Sequence, residues 1–149
     1  MAQETAQGGK TVAPRRWRVL VVDDSPTILG LFQLVIMPED DPLFQIIGTA
    51  PNGTLGLEAV LQHEPDIVIL DYEMPGLDGV SLIRQIKARR AKTAVFLMSS
   101  HVDEARELEE SALEAGAIDF IPKPQKDYNA NAVRMLIEMD LRRAKLRLE

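Results

Sequence analysis

The sequence predicts an α/β fold in which a single domain forms a doubly wound parallel sheet. Short apolar runs rich in β-branched residues alternate with segments whose apolar residues recur at helical spacing. Three of the runs, RVLVV, DIVIL and AVFLM, are almost entirely apolar, which is typical of parallel strands covered on both faces. The length of 149 residues matches one ordinary domain, which buries about two-thirds of its unfolded surface.

The strands are predicted directly from these apolar runs. There are five, at residues 18–22, 44–50, 67–70, 94–98 and 118–121. Right-handed crossovers through the intervening helices would make neighbouring strands parallel. Five βα units joined in this way predict a doubly wound sheet.

The first helix is predicted from a start signal and an apolar stripe. Ser25 is an expected N-cap, and Pro26 suits the first helical position, because its missing N–H has no partner there. The helix is expected to run until Pro38, with an inward face formed by Ile28, Leu31, Phe32 and Val35.

Four more helices are predicted from similar stripes. The stripes are Leu57, Val60 and Leu61 before Pro65; Val80, Ile83 and Ile86; and Ala105, Leu108 and Ala112, with Gly116 as a left-handed C-cap. The last helix is expected from about Asn129 to the end of the chain, with its inward side formed by Val133, Leu136 or Ile137, Leu141, Ala144 and Leu148.

Domain boundaries follow from composition. Residues 1–16 have no hydrophobic periodicity and are predicted to form a flexible N-terminal tail, and residues 17–149 are predicted to form the domain with an extended C-terminal helix. No apolar run approaches the ~18 residues of a membrane span, and no secretory signal is visible, so a cytoplasmic protein is expected.

Composition excludes several chemistries. The chain has no Cys, and its two histidines, His63 and His101, lack metal-ligand spacing, which excludes disulfide, thiol and zinc chemistry. The formal net charge of −6 disfavours nucleic-acid binding. The phosphate-loop, dinucleotide-binding and esterase-elbow motifs are absent from the sequence.

Polar residues follow the predicted strands. Asp23 and Asp24 follow the first strand, Asp71 the third, Ser99 the fourth and Lys123 the fifth. Each alone has an ordinary interpretation as a cap, a turn residue or a solvated charge. Together they converge on the edge of a parallel sheet where ligands bind.

Three carboxylates at this edge repel one another strongly. The repulsion requires protonation, a lysine or a hard cation, and oxygen ligands favour Mg²⁺, with Mn²⁺ as a substitute. A carboxylate nucleophile beside such a cation, a lysine and a hydroxyl is suited to phosphoryl transfer onto an aspartate.

The chain resembles receiver domains of two-component response regulators over residues 17–146. The motifs are VLVVDDSP, IVILDYEMPGLDG, FLMSS and GAIDFIPKP. GTAPNG after the second strand, and FLMSS paired with AGAIDFIPKP, are most similar to the receiver half of chemotaxis methylesterases. The resemblance implies a flavodoxin-like sheet of strand order 2-1-3-4-5.

The resemblance also implies roles for site residues. Asp71 would be the phosphoacceptor, and Lys123 would contact the phosphoryl group. Asp24 would bind Mg²⁺ directly and Asp23 through water, while Asp71 and the backbone carbonyl of Glu73 would complete the protein's ligands.

Further roles implied by the resemblance concern the switch and the loops. Ser99 would supply the switch hydroxyl and Phe120 the switch aromatic, which would rotate inward on phosphorylation. The Lys123–Pro124 bond would be cis, and the loop after Asp71 would be shaped by Pro75, Gly76 and Gly79. His101 would either tune the phosphoryl lifetime or be a solvated loop residue.

The function implied is that of a signalling receiver rather than an enzyme acting on external substrates. It would take a phosphoryl group from a sensor histidine kinase or phosphotransfer protein and signal through a homodimer or an output domain. An aspartate-nucleophile phosphatase is one alternative, although that class would carry D-x-D after the first strand and usually a cap insertion. A receiver fragment of a larger multidomain regulator is the other.

Overall fold

The computed structural model describes residues 3–4, 11–12, 15–74, 78–100, 106–124 and 130–146. Several residues singled out from the sequence lie outside these ranges: Pro75, Gly76, His101, Ala105, Asn129 and Leu148. Within the predicted tail, a short antiparallel pair joins Gln3–Glu4 to Thr11–Val12. The division of the chain at residue 17 remains a prediction.

The central sheet has five parallel strands, as predicted. They are β1 (Trp17–Val22), β2 (Phe44–Ala50), β3 (Ile67–Asp71), β4 (Ala94–Ser99) and β5 (Asp119–Pro122). Their order, β2-β1-β3-β4-β5, confirms the predicted topology. Asp71 and Ser99 are the last residues of their strands, so strand hydrogen bonding holds their backbone.

The helices lie between the strands. They are α1 (Pro26–Leu31), which continues as a π-helical turn (Phe32–Ile36), α2 (Gly53–His63), α3 (Gly79–Arg89), α4 (Arg106–Ala115) and α5 (Ala130–Arg143). Ser25 caps α1 as predicted, because its Oγ accepts a hydrogen bond from the Ile28 N–H at 3.3 Å. Gly116 ends α4 at a φ of 118°, as expected for a left-handed C-cap.

One predicted core position in the first helix and one in the second are exposed instead. Val35 is 50 % exposed, because the π turn inserts an extra residue per turn and brings Ile36 to the core in its place. Leu61 is 48 % exposed, because α2 packs on the sheet through Gly56 and Val60.

The predicted extension of the last helix is wrong within the described residues. Helix α5 ends at Arg143, and Lys145 follows in the left-handed region with a φ of 55°. The Lys145 and Leu146 N–H groups bond back to the carbonyls of Arg142 and Leu141, the pattern of a Schellman C-cap. This cap satisfies the last carbonyls of α5 and leaves Ala144 exposed rather than inward.

The core forms one cluster on each face of the sheet. One cluster joins alternate strand residues to α1 and α5 through Phe32, Ile36, Val133 and Ile137. The other joins the remaining strand residues to α2, α3 and α4. Because both faces are covered, the β3 and β4 side chains are buried throughout, as their apolar sequences predicted. In the described part of the chain, no helix has the length and apolar character that a membrane span requires.

Candidate functional site

The predicted polar residues meet at the carboxyl edge of the sheet. Asp23 follows β1 and is buried at 0 % exposure, whereas the neighbouring Asp24 is exposed. The Asp23 N–H donates to the Ala50 carbonyl at 3.0 Å, which continues the pairing of β1 with β2. The Asp23 Oδ1 atom accepts a hydrogen bond from the Ser25 N–H at 2.8 Å. The start of α1 therefore holds one Asp23 oxygen and directs the other towards the site.

Asp71 lies at the centre of this edge, also at 0 % exposure. Its Oδ1 accepts from the Glu73 N–H at 3.0 Å, and its Oδ2 accepts from Lys123 Nζ at 3.0 Å. The Lys123 N–H donates to the Ser99 carbonyl at 2.9 Å, so the pairing of β5 with β4 positions the lysine. Asp71 and Lys123 therefore meet although they lie 52 positions apart in sequence.

The carboxylates of Asp23, Asp24 and Asp71 form a compact group. One oxygen from each lies within 4.8 Å of the others. Among the described residues, the buried Asp23 Oδ2 atom has no hydrogen-bond partner, although Lys123 Nζ lies 3.3 Å away. Three carboxylates thus face one ammonium group. The donor set fits a hard divalent cation, which would satisfy the remaining oxygen and reduce the repulsion.

The pKa shifts at the site reflect this balance of charges. Burial raises the pKa of Asp23, and the nearby Asp71 raises it further, against the lowering effects of the Ser25 N–H and Lys123. Burial lowers the pKa of Lys123, but the two aspartates outweigh it and the net pKa is raised. Lys123 therefore remains a cation beside Asp71 at neutral pH.

The Glu73 side chain forms a contact that the sequence did not predict. The Ser99 hydroxyl donates to Glu73 Oε1 at 3.0 Å, and the Ser100 N–H donates to the same oxygen. Burial raises the pKa of Glu73, but these hydrogen bonds outweigh it and the net pKa is lowered. From the sequence, only the backbone carbonyl of Glu73 was assigned a role. The sequence feature that could have predicted this contact is that Glu73 follows β3 and Ser99 is the last residue of the neighbouring β4.

One expectation about β5 is not met. The described residues contain no cis peptide bond, so the predicted cis bond between Lys123 and Pro124 is wrong. A trans bond is sufficient, because strand pairing already brings Lys123 to Asp71. Phe120 is 5 % exposed and belongs to the core cluster that includes Ala112 and Ala115 of α4. Its assignment as the switch aromatic, which would rotate inward on phosphorylation, remains a prediction.

Residues 19–133 match the family model described as the response regulator receiver domain. The match includes Asp23, Asp71, Ser99 and Lys123. The chain belongs to the response regulator receiver family. It is a receiver domain of two-component signalling, as the resemblance implied.

Relatives with curated names point to one branch of this receiver family. The chain is 48 % identical over 114 residues to a protein-glutamate methylesterase/protein-glutamine glutaminase of Symbiobacterium thermophilum, covering 76 % of this chain and 31 % of that protein. It is 40 % identical over 131 residues to such a protein of Geobacter sulfurreducens, covering 88 % and 35 % respectively. The receiver chain therefore spans about a third of the length of these relatives.

Solved receiver structures share the fold. The response regulator domain of Thermotoga maritima CheB superposes with a TM-score of 0.70 at 31 % identity, covering 87 % of this chain and 96 % of that one. The signal receiver domain of the NarL response regulator from Mycobacterium tuberculosis gives a TM-score of 0.74 at 29 % identity, covering 90 % and 100 %. Both support the flavodoxin-like receiver topology.

Proposed function

We propose that this receiver accepts a phosphoryl group on Asp71, with Mg²⁺ or Mn²⁺ bound beside it. The donor would be the phosphohistidine of a sensor kinase or of a phosphotransfer protein. The observation that carries the proposal is the fully buried Asp71 carboxylate, 3.0 Å from Lys123 Nζ and within 4.8 Å of the Asp23 and Asp24 carboxylates. No other acidic cluster of this kind occurs in the described parts of the chain.

Each residue of the site has a separate role in the proposed phosphoryl transfer. An Asp71 oxygen attacks phosphorus, the nitrogen–phosphorus bond breaks, and the imidazole leaves with its electron pair and takes up a proton. Lys123 balances negative charge on the phosphoryl oxygens and orients the Asp71 carboxylate. Mg²⁺ would supply further neutralisation, held by Asp24, Asp71 and the Glu73 carbonyl, with Asp23 linked through water.

Ser99 connects the reaction to the rest of the fold. It is the last residue of β4, which pairs with β3, the strand that ends at Asp71. Its hydroxyl would donate to a phosphoryl oxygen. This hydrogen bond would favour a state in which the end of β4 moves towards Asp71, and the movement would change the packing of α4 around Phe120. Because Phe120 is already buried, the expected change is a rearrangement within the core rather than entry of an exposed ring.

The output follows from the curated relatives. Since those proteins are named as methylesterases and glutaminases and are about three times as long, we propose that this receiver controls an effector of that class. The receiver itself would phosphorylate and dephosphorylate only Asp71. Steady turnover of an external phosphomonoester would instead support an aspartate-nucleophile phosphatase.

The test is phosphorylation with a small phosphodonor and Mg²⁺, followed by intact mass measurement. The parent chain should gain one phosphoryl group and Asp71→Asn none. Asp78→Asn is a matched control, because Asp78 caps α3 by accepting from the Ser81 N–H, which asparagine also does. The control should be phosphorylated like the parent. Equal phosphorylation of Asp71→Asn at the same site would overturn the assignment.

A further inference from the structure

The Glu73 side chain joins the loop after β3 to the end of β4. Its Oε1 atom accepts from the Ser99 hydroxyl at 3.0 Å and from the Ser100 N–H. Glu73 itself is exposed, whereas Ser99 is buried. A surface carboxylate therefore reaches over the site and holds the residue expected to respond to phosphorylation.

The Ser99 hydroxyl cannot serve two acceptors at once. A serine hydroxyl has a single proton to donate. In this structure Ser99 donates it to Glu73. A hydrogen bond from Ser99 to a phosphoryl oxygen on Asp71 therefore requires the bond to Glu73 to break, so the two contacts are mutually exclusive.

Charge makes the two contacts compete further. The Glu73 N–H donates to Asp71 Oδ1 at 3.0 Å, so the two residues are coupled at short range. Phosphorylation would replace the single negative charge of the Asp71 carboxylate by about two on the phosphoryl oxygens, a net gain of about one negative charge near the Glu73 carboxylate, and like charges repel. Phosphorylation therefore weakens the hold of Glu73 on Ser99 while it offers Ser99 a stronger acceptor.

We propose that Glu73 is a positioning residue that holds Ser99 and Ser100 in the resting arrangement and opposes phosphorylation until it releases them. This inference rests on the proposed function of Asp71. Glu73 acts through Ser99 and Ser100 and takes no part in the bond changes of the transfer. Its proposed metal contact uses the backbone carbonyl, which side-chain substitutions leave in place.

The first experiment measures the resting chain alone. Amide hydrogen exchange at Ser100 should be about tenfold faster in Glu73→Ala than in the parent, because the N–H loses a charged acceptor. Glu73→Gln keeps an acceptor oxygen and should exchange at an intermediate rate. Glu58→Ala, an exposed change on α2, should exchange at Ser100 like the parent. Unchanged Ser100 exchange in Glu73→Ala would overturn the proposed hold.

The second experiment is a double-mutant cycle on the rate of Asp71 phosphorylation by a small phosphodonor. Glu73→Ala should accelerate phosphorylation severalfold in the parent and clearly less in a Ser99→Ala background, because the contact to the Ser99 hydroxyl is then missing and only the charge of Glu73 and its contact to the Ser100 N–H remain. Equal acceleration in both backgrounds would assign the effect to the charge of Glu73 and overturn a route through Ser99. Absence of phosphorylation in the parent would overturn the proposed function itself, whatever the exchange result.

Discussion

Two buried aspartates, Asp41 and Asp23, have opposite environments in this receiver. Asp41 accepts two hydrogen bonds from Arg134, at 2.9 and 3.2 Å, and two from the N–H groups of Leu43 and Phe44. Asp23 has one backbone donor, a lysine at 3.3 Å, and an oxygen without a hydrogen-bond partner in the described residues. The first carboxylate is fully paired and the second is not.

The pKa directions of the two aspartates express this difference. Burial raises the pKa of Asp41, but the hydrogen bonds from Arg134 and the backbone outweigh it, so the net pKa is lowered. For Asp23, burial and the neighbouring Asp71 dominate and the pKa is raised. A paired carboxylate stabilises the fold, whereas an incompletely paired one is suited to a ligand. Asp41 is therefore structural, joining the segment before β2 to α5 through Arg134.

The largest expected effect is on stability at Asp41. Asp41→Ala should lower the free energy of unfolding by about 3–5 kcal/mol, because it leaves Arg134 without its main partner and uncaps two N–H groups. Asp23→Asn should lower it by less than about 1 kcal/mol, because asparagine can still accept from Ser25 and carries no charge to repel Asp71. Urea unfolding of both variants measures the difference. Equal losses would show that Asp23 is also structural.

The next effect concerns the metal. Mg²⁺ at about 100 times its dissociation constant should raise the free energy of unfolding by ~2.7 kcal/mol, because it binds only the folded chain. Asp24→Asn should greatly reduce this gain, whereas Asp78→Asn, which lies outside the carboxylate cluster, should retain it. Thermal unfolding with and without Mg²⁺ measures both. An undiminished gain in Asp24→Asn would remove Asp24 from the metal ligands.

Asp140 is the third aspartate to compare, and its expected effect on stability is smaller than that of Asp41. Its pKa is raised from 3.8 to about 7, first by burial and then by a hydrogen bond with Asp119 and charge repulsion from it, against the lowering effect of Arg143. Its Oδ2 atom also has no hydrogen-bond partner within the described residues. Because burial and Asp119 outweigh Arg143, protonation is its expected route to neutrality.

The folded pKa of Asp140 lies above the unfolded value, so the folded chain binds the proton more tightly. Its contribution to stability is complete below about pH 4 and is lost as the pH rises through about 7. Asp140→Asn should be more stable than the parent at pH 8, by on the order of 1–2 kcal/mol, and its advantage should shrink towards pH 4. Urea unfolding at the two pH values tests this. A pH-independent difference would contradict a raised pKa.

The sequence by itself determined the sheet. Three nearly apolar strands bury both of their faces only when a helical layer covers each face. It also determined which side chains reach the site, since the carboxyl ends of parallel strands share one edge and place Asp23, Asp71, Ser99 and Lys123 there. These outcomes follow from local patterns and from topology. They do not require the detailed packing of any one side chain.

Tertiary structure decided where helices change or end and which distant side chains pair. The π turn after α1 replaced Val35 by Ile36 in the core, and the cap at Lys145 ended α5 earlier than its apolar stripe indicated. The bond between Glu73 and Ser99 and the ion pair between Asp41 and Arg134 join residues 26 and 93 positions apart. No local pattern encodes such pairs, because their geometry exists only once β-strands and helices have packed.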